Sequence, residues 1–149
     1  MTSLVSPFTA PAAPPAPVLP SLAPAVSGHV RLILRAEGLA ILMAAVALYA
    51  RAGHPGWLFA TLFLVPDLSL FGYLAGSRLG AITYNSAHSL LGPVALALAA
   101  LFVVPALGPY ALIWLAHVGF DRALGYGLKY RAGFVHTHLG RIGRAAERS

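Results

Sequence analysis

Four long apolar stretches, separated by short segments rich in proline and glycine, dominate this sequence. Hydrophobic residues make up 58% of the 149 residues and charged residues only 9%, whereas about a quarter of the residues in a soluble domain are charged. The apolar stretches are continuous and do not alternate with polar residues at every second position, as the strands of a membrane barrel do. The sequence therefore predicts an all-α fold, an integral membrane four-helix bundle, because helices satisfy their own backbone hydrogen bonds in lipid.

The predicted spans cover residues 29–50, 57–75, 79–104 and 110–126, within one bundle domain at 29–128. Residues 1–28 contain seven of the twelve prolines and no charged side chain, which predicts a disordered tail rich in proline and alanine. Residues 129–149 are basic and glycine-punctuated. They are expected to form a cytoplasmic interfacial tail against anionic headgroups.

Two features of the composition exclude classes of site and partner. The chain has no cysteine, so disulfides, iron–sulfur clusters and thiolate zinc sites are ruled out, and any metal must be held by His, Asp or Glu. The formal net charge is +6, but the basic residues flank apolar stretches and form no separate arm. The pattern indicates membrane topology and contact with the lipid bilayer rather than nucleic acid, and it leaves a homo-oligomer open.

The distribution of basic residues predicts the orientation of the bundle. Four spans place both termini on one side of the membrane, and the turn between the first two spans carries Arg51 alone. The positive-inside rule therefore predicts cytoplasmic termini. The basic residues expected on that side are Arg31, Arg35, Arg78, Lys129, Arg131, Arg141, Arg144 and Arg148.

Four ionisable residues inside the spans are predicted to lie at nearly the same depth. With a rise of about 1.5 Å per residue, Asp67, His88 and His117 each lie about 14 Å from the cytoplasmic edge. Asp121 follows His117 by four positions, so it shares a helix face with His117 and lies one turn shallower. A carboxylate in hydrocarbon costs about 3 kcal/mol or more. We therefore expect these groups to meet in the bundle interior.

Two histidines and two carboxylates form a ligand set that suits zinc or a similar divalent ion. The sequence thus predicts Asp67, His88, His117 and Asp121 as metal ligands, projecting from facing helices. Three protein ligands with one water would make a catalytic zinc, and the remaining carboxylate would act as the general base. The alternative is a hydrogen-bonded Asp/His network that locks helix packing without metal. A polar stripe on the third span is expected beside the ligands and consists of Tyr84, Asn85 and Ser89.

Three further ionisable residues leave alternatives open. Glu37 follows two arginines at the start of the first span, where it either pairs with one of them or turns inward toward the cluster. His136 and His138 lie in the basic tail. They either remain solvated or add ligands from the cytoplasmic side.

Several multi-residue strings occur in the order seen in a known family, over about residues 30 to 144. They are Pro66-Asp67-Leu68-Ser69, Gly72-Tyr73-Leu74-Ala75-Gly76, Tyr84-Asn85, Ala87-His88-Ser89, Trp114-Leu115-Ala116-His117, Gly119-Phe120-Asp121-Arg122, Gly125-Tyr126-Gly127-Leu128-Lys129-Tyr130 and Thr137-His138-Leu139-Gly140. Together they resemble an uncharacterised bacterial integral-membrane family, domain of unknown function 4260. The resemblance implies this fold and a bacterial inner-membrane location, without an established activity.

The same resemblance bears on individual candidates. Glu37 falls where the family pattern has a glutamate, which favours Glu37 together with Asp121 as catalytic carboxylates. His136 departs from the pattern, in which an acidic residue is usual, so His138 is the better of the two tail histidines. A looser analogy, in the order of Asp, His and His-plus-Asp across the helices, is to small membrane-bound metal-dependent hydrolases.

The sequence favours a metal-dependent hydrolase in which activated water attacks a lipid-like ester, amide or phosphoester. Three other functions stay open. The ionisable residues could form a proton or cation relay in a small transporter. His88 and His117 could bind haem between two helices. The polar residues could also be purely structural and hold the helices in register.

Overall fold

The computed structural model describes residues 26–131 and 133–142. Within this part of the chain the fold is an all-α bundle, as predicted. Apart from residues 26–28, the predicted tail at 1–28 lies outside the described residues. The α-helices are α1 (Gly28–Arg51), α2 (Gly56–Leu62), α3 (Ser77–His88), α4 (Leu91–Phe102) and α5 (Gly108–Leu124). A 3₁₀ helix covers Val65–Ala75, a 3₁₀ turn covers Pro105–Leu107, and two short strands are β1 (His136–Thr137) and β2 (Gly140–Arg141).

Three segments are long and apolar enough to cross a membrane: Gly28–Arg51, Gly56–Ala75 and Ser77–Phe102. The fourth span, α5, has 17 residues, at the short end of the range that crosses a bilayer. Its inward residues include Ala116, His117 and Val118, each at most 1% exposed. Large apolar side chains on the outer faces of α1 to α4 are exposed. This is a membrane protein with α5 at its centre.

The second span is not the continuous kinked helix that the sequence predicts at 57–75. Helix α2 ends at Leu62, four residues before Pro66, because the proline ring has no N–H to donate to that carbonyl and clashes with it. The chain then continues as an 11-residue 3₁₀ helix with Pro66 in its first turn, far longer than the usual three or four residues. Gly72 packs so tightly on α3 that an added Cβ would lie 2.1 Å from the hydroxyl of Thr83.

The third span, predicted as one helix at 79–104, is also interrupted. Helix α3 ends at His88 and α4 begins at Leu91, with Ser89 in an extended conformation (ψ 154°). Pro93 accounts for the break, since it cannot donate to the carbonyl of Ser89 four residues earlier. The indole N–H of Trp114 on α5 donates to the carbonyl of Ala87 at 2.6 Å, which satisfies one of the carbonyls left free at the end of α3.

Helices α1 and α5 are antiparallel and cross at two glycines. A Cβ on Gly38 would lie 2.6 Å from the Cβ of Arg122, and one on Gly119 would lie 2.7 Å from the backbone nitrogen of Leu42. Small residues at such crossings allow backbones to approach closely in membrane bundles. Arg35 adds a hydrogen bond from its Nε to the carbonyl of Ala123 at 2.8 Å. The start of α1 is thereby fixed to the C-terminal end of α5, where cations are stabilised by the helix dipole.

The chain after α5, where the sequence predicts an interfacial tail at 129–149, packs onto the helix ends as far as the structure describes it. Asn85 on α3 holds the backbone of Lys129 through two hydrogen bonds, donating to its carbonyl at 2.9 Å and accepting from its N–H at 2.7 Å. Strands β1 and β2 pair in an antiparallel hairpin. Lys129, Thr137 and Leu139 are 4%, 1% and 1% exposed. Lys129 is therefore not available to bind headgroups, and Arg144 and Arg148 lie outside the described residues.

Candidate metal centre

Four ionisable side chains from three spans converge in the interior of the bundle. Asp67 lies in the first turn of the 3₁₀ helix, His88 is the last residue of α3, and His117 and Asp121 lie one turn apart on α5. Each offers one ligand atom, and these atoms all lie within 4.8 Å of one another. The predicted ligand residues are thus close enough to bind one ion.

Four of the six distances among these atoms are close to the edge of a tetrahedron around a small cation, and the other two are at most 4.8 Å. The two imidazole Nε2 atoms of His88 and His117 are 3.1 Å apart. Asp67 Oδ1 lies 3.3 Å from the Nε2 of His88 and 3.6 Å from that of His117, and Asp121 Oδ2 lies 3.5 Å from the Nε2 of His88. Ligand bonds of about 2.0 Å to zinc give a tetrahedral edge of about 3.3 Å. The two nitrogens are too close for a porphyrin to lie between them, so this geometry argues against the haem hypothesis.

A hydrogen bond to the backbone fixes which ring nitrogen of His88 faces the other three ligand atoms. Its Nδ1 lies 3.0 Å from the carbonyl of Tyr84, which can only accept, so Nδ1 carries a proton and Nε2 is the nitrogen that would bind a metal. That Nε2 faces two carboxylate oxygens and the other imidazole. A metal-binding histidine is commonly oriented in this way, with its second nitrogen bonded to a backbone carbonyl.

Aromatic side chains hold the ligands in place. The ring of Tyr84 stacks on that of His88 with centroids 3.7 Å apart and an interplanar angle of 11°. Its hydroxyl donates to Asp121 Oδ2 at 2.9 Å. Phe63 meets the His117 ring edge to face at 5.3 Å. Two of the four ligand residues are therefore oriented by the same tyrosine.

The centre has a closed and an open side. The side chains of His88, His117 and Asp121 are 3%, 1% and 13% exposed, whereas that of Asp67 is 37% exposed. Water or a substrate would therefore approach past Asp67.

The other predicted site residues lie outside the four-residue cluster, apart from Tyr84 at its edge. Asn85 binds the backbone of Lys129, and Ser89 lies in the break between α3 and α4. Glu37 is exposed on α1, where its charge acts on Arg122. Glu37 is therefore not among the four clustered residues, and its pairing with Asp121 as a catalytic carboxylate stays a prediction.

The tail histidine His138 has a structural contact instead of a place among the ligands. Its Nδ1 accepts a hydrogen bond from the N–H of Leu128 at 2.9 Å. Burial and the nearby guanidinium of Arg122 lower the pKa of His138. A neutral His138 suits this role, because the ring must present an unprotonated nitrogen to the backbone.

Sequence reasoning missed Lys129, which it grouped with the solvated cations of the tail. Its Nζ lies 3.9 Å from the ring centroid of Phe134 and 4.9 Å from that of Tyr84, within the range of cation–π attraction. Burial lowers the pKa of Lys129 to about 8, and the charge of Asp121 partly opposes this. Nothing in the sequence distinguishes this lysine from its basic neighbours.

Comparison with known proteins identifies a family but no characterised relative. No curated protein matches this chain, and no solved structure matches it. The model of a domain of unknown function, DUF4260, matches residues 31–142, well over half of the chain. The matched range includes all four residues of the cluster as well as Tyr84 and Asn85. The chain therefore belongs to the DUF4260 family.

Proposed function

We propose that this protein is a membrane-embedded metalloprotein in which Asp67, His88, His117 and Asp121 bind one divalent ion. The observation that carries this proposal is the convergence of four electron-rich ligand atoms within 4.8 Å. Without positive charge among them, two carboxylates and two imidazole lone pairs repel one another in a medium that solvates none of them. A single divalent cation at the centre would satisfy all four.

Zinc is the ion that this ligand set suits best. Calcium and magnesium prefer six or more oxygen ligands or several retained waters, whereas two imidazole nitrogens favour zinc and its transition-metal neighbours. The four short distances described above point the same way, since zinc is almost always bound by four ligands in a tetrahedron.

The open side at Asp67 supports hydrolysis as the reaction. Water bound to a catalytic zinc has a pKa near 7. Because the four side chains fill the coordination of a tetrahedral ion, this water would bind in place of Asp67, whose carboxylate would then take a proton from it as the water oxygen bonds to a carbonyl carbon. The proton would then pass to the alcohol or amine that leaves as the carbon–oxygen or carbon–nitrogen bond breaks. A lipid-like substrate would enter this site from the bilayer.

The location and orientation of the protein form part of the proposal. Family membership favours a bacterial inner membrane. Arg35 binds the C-terminal end of α5, so the arginine-rich start of α1 lies on the same side as the chain that follows α5. Arg51 lies at the opposite end of α1, so the positive-inside rule favours cytoplasmic termini. Basic side chains on that side would contact anionic headgroups, and a second copy of the chain could cover part of the exposed apolar surface.

Metal content tests the proposal directly. The protein is purified in detergent with a tag that contains no histidine, loaded with zinc, dialysed, and analysed by inductively coupled plasma mass spectrometry. We expect one zinc per chain in the parent and almost none in the Asp67→Ala/His117→Ala variant. The matched control is His29→Ala/Glu37→Ala, which removes one exposed histidine and one exposed carboxylate and should keep its zinc.

Two results would overturn the metal proposal. One is a folded parent, judged by circular dichroism and gel filtration, that retains no stoichiometric zinc, manganese, iron or cobalt. The other is equal metal content in the cluster variant and in the control, which would place the metal elsewhere.

A second candidate function is a proton relay, favoured by the 3.1 Å contact between the two imidazole nitrogens. Extra protons on these rings would also relieve the repulsion, and Asp67 is exposed enough to exchange them. Proton flux into proteoliposomes that persists after chelation of all metal would support the relay. If metal-free protein shows no proton flux, the proton relay is ruled out.

A further inference from the structure

A cavity of about 360 Å³ lies between the three spans that carry the cluster. Its wall includes residues on both sides of the interruptions in the second and third spans. The second span contributes Leu62 and Pro66, α3 contributes Ala87, α4 contributes Leu96, and α5 contributes Ile113 and Trp114. Irregular backbone at membrane depth is tolerated where it is buried in protein or lines a cavity.

Three residues of the cavity wall are close in sequence to residues of the cluster. Pro66 immediately precedes Asp67, and Ala87 immediately precedes His88. Ile113 lies four residues before His117 on the same face of α5. The cavity and the cluster are therefore built from neighbouring positions on the same three spans.

The wall of the cavity is suited to hydrocarbon and not to a polar headgroup. Trp114 already donates its indole N–H to the carbonyl of Ala87, and the remaining polar members of the wall are the hydroxyl-bearing Ser69 and Tyr110. The volume lies at the lower end of the range for small-molecule sites, about 300–1,000 Å³. It accommodates on the order of ten methylene groups, if each occupies about the 30 Å³ of a liquid water molecule.

We propose that the substrate is a lipid whose acyl chain occupies this cavity and whose ester or amide carbonyl lies at the Asp/His cluster. This inference rests on the proposed function and names its substrate class. In an ester or amide the reacting carbon is the first carbon of the chain, so a chain in the cavity places it at the cluster. Hydrolysis consumes one water and releases a fatty acid together with an alcohol or amine. A phosphoester reacts several bonds away from any chain and fits this arrangement less well.

Fluorescence of Trp114 reports occupancy of the cavity without requiring any activity. The chain has two tryptophans, and Trp57 is 68% exposed, so Trp57→Phe leaves Trp114 as the only indole. A bromine-labelled medium-chain fatty acid is titrated into this protein in detergent, since bromine quenches indole fluorescence on contact. Leu96→Phe narrows the cavity. The matched control is Leu98→Phe, because Leu98 lies on the same helix, is 51% exposed, and is not part of the wall.

We expect quenching that saturates at low mole fraction and is competed by an unlabelled medium-chain fatty acid. Leu96→Phe should weaken the apparent affinity at least tenfold, and Leu98→Phe should leave it unchanged. Quenching that rises linearly with mole fraction and is the same in both variants would overturn the inference.

The same titration on metal-stripped protein separates this inference from the metal proposal. If the protein never binds zinc but its quenching saturates, the cavity binds an acyl chain and the metal proposal is wrong. Stoichiometric zinc with only linear quenching would leave the metal centre standing and refute the chain site.

Discussion

Replacement of Tyr84 by phenylalanine tests whether the groups around the cluster tune its affinity for metal. The Tyr84→Phe change removes one hydroxyl that donates to Asp121 Oδ2 at 2.9 Å, and it keeps the ring that stacks on His88 at 3.7 Å. A hydrogen bond to a charged group contributes about 1.5–3 kcal/mol. Loss of a residue that orients a metal ligand typically lowers affinity by about 10- to 100-fold. The two magnitudes agree, because about 1.4 kcal/mol corresponds to a tenfold change.

The assay is competition for zinc between the detergent-solubilised protein and a chelating indicator. Tyr49→Phe is the matched control, since Tyr49 is also buried, at 4% exposure, and donates to the carbonyl of Pro55 at 2.9 Å, away from the cluster. We expect the zinc affinity of Tyr84→Phe to fall by about 10- to 100-fold, with no change for Tyr49→Phe. Equal zinc affinities for the two variants would refute the idea that the Tyr84 hydroxyl orients Asp121 for metal.

Three further predictions concern the packing around the site. Gly119→Ala forces a Cβ to within 2.7 Å of the backbone of Leu42, so it should destabilise the bundle by about 1–3 kcal/mol in thermal unfolding. The control is Gly56→Ala, which should show no such loss because a Cβ there meets nothing within 4 Å. Asn85→Ala leaves two backbone groups of Lys129 unpaired, which should cost about 1–3 kcal/mol for each that stays buried and speed hydrogen exchange in the segment after α5. The pKa of Lys129 is about 8 in the fold against 10.5 in the unfolded chain, so the unfolded chain binds more protons between these values. The free energy of unfolding should therefore rise with pH across this window, and Lys129→Met should abolish that rise.

The residues of the cluster could be predicted from the sequence because the rise per helical residue fixes how deep each residue lies in the membrane. Asp67, His88 and His117 lie on different spans, and counting residues from the membrane edge was enough to place them at one level. Their side chains could be expected to turn inward because lipid does not solvate charge. Neither step depends on knowing how the helices cross.

The two breaks in the spans could not be predicted in the same way. Pro66 and Pro93 are visible in the sequence, but a proline inside a span either kinks the helix or ends it. The outcome depends on what receives the freed carbonyls, and here the indole of Trp114 does so from another helix. The 3₁₀ geometry of Val65–Ala75 likewise accompanies the close contact between Gly72 and Thr83, which is a tertiary feature.

Glu37 and Lys129 show a further limit of reasoning from the sequence. Both are charged residues near the end of a span, and a count of charges does not distinguish either of them from the charged residues nearby. In the fold Glu37 stays exposed near Arg122, while Lys129 is buried against aromatic rings. The difference arises because Asn85 fixes the backbone at Lys129, a contact between residues 44 positions apart.

The interruptions of the second and third spans are the feature on which both the cluster and the cavity depend. In a continuous third helix, the carbonyls of Ala87 and His88 would accept hydrogen bonds from the N–H groups four residues later, and the backbone of α4 would extend directly from His88. The break costs these hydrogen bonds, which are expensive to lose in hydrocarbon, and the contact from Trp114 to Ala87 offsets part of the cost. The same indole forms one wall of the cavity. A single residue on α5 thus stabilises the end of the helix that presents His88 and also encloses the space in which a lipid chain would lie next to it.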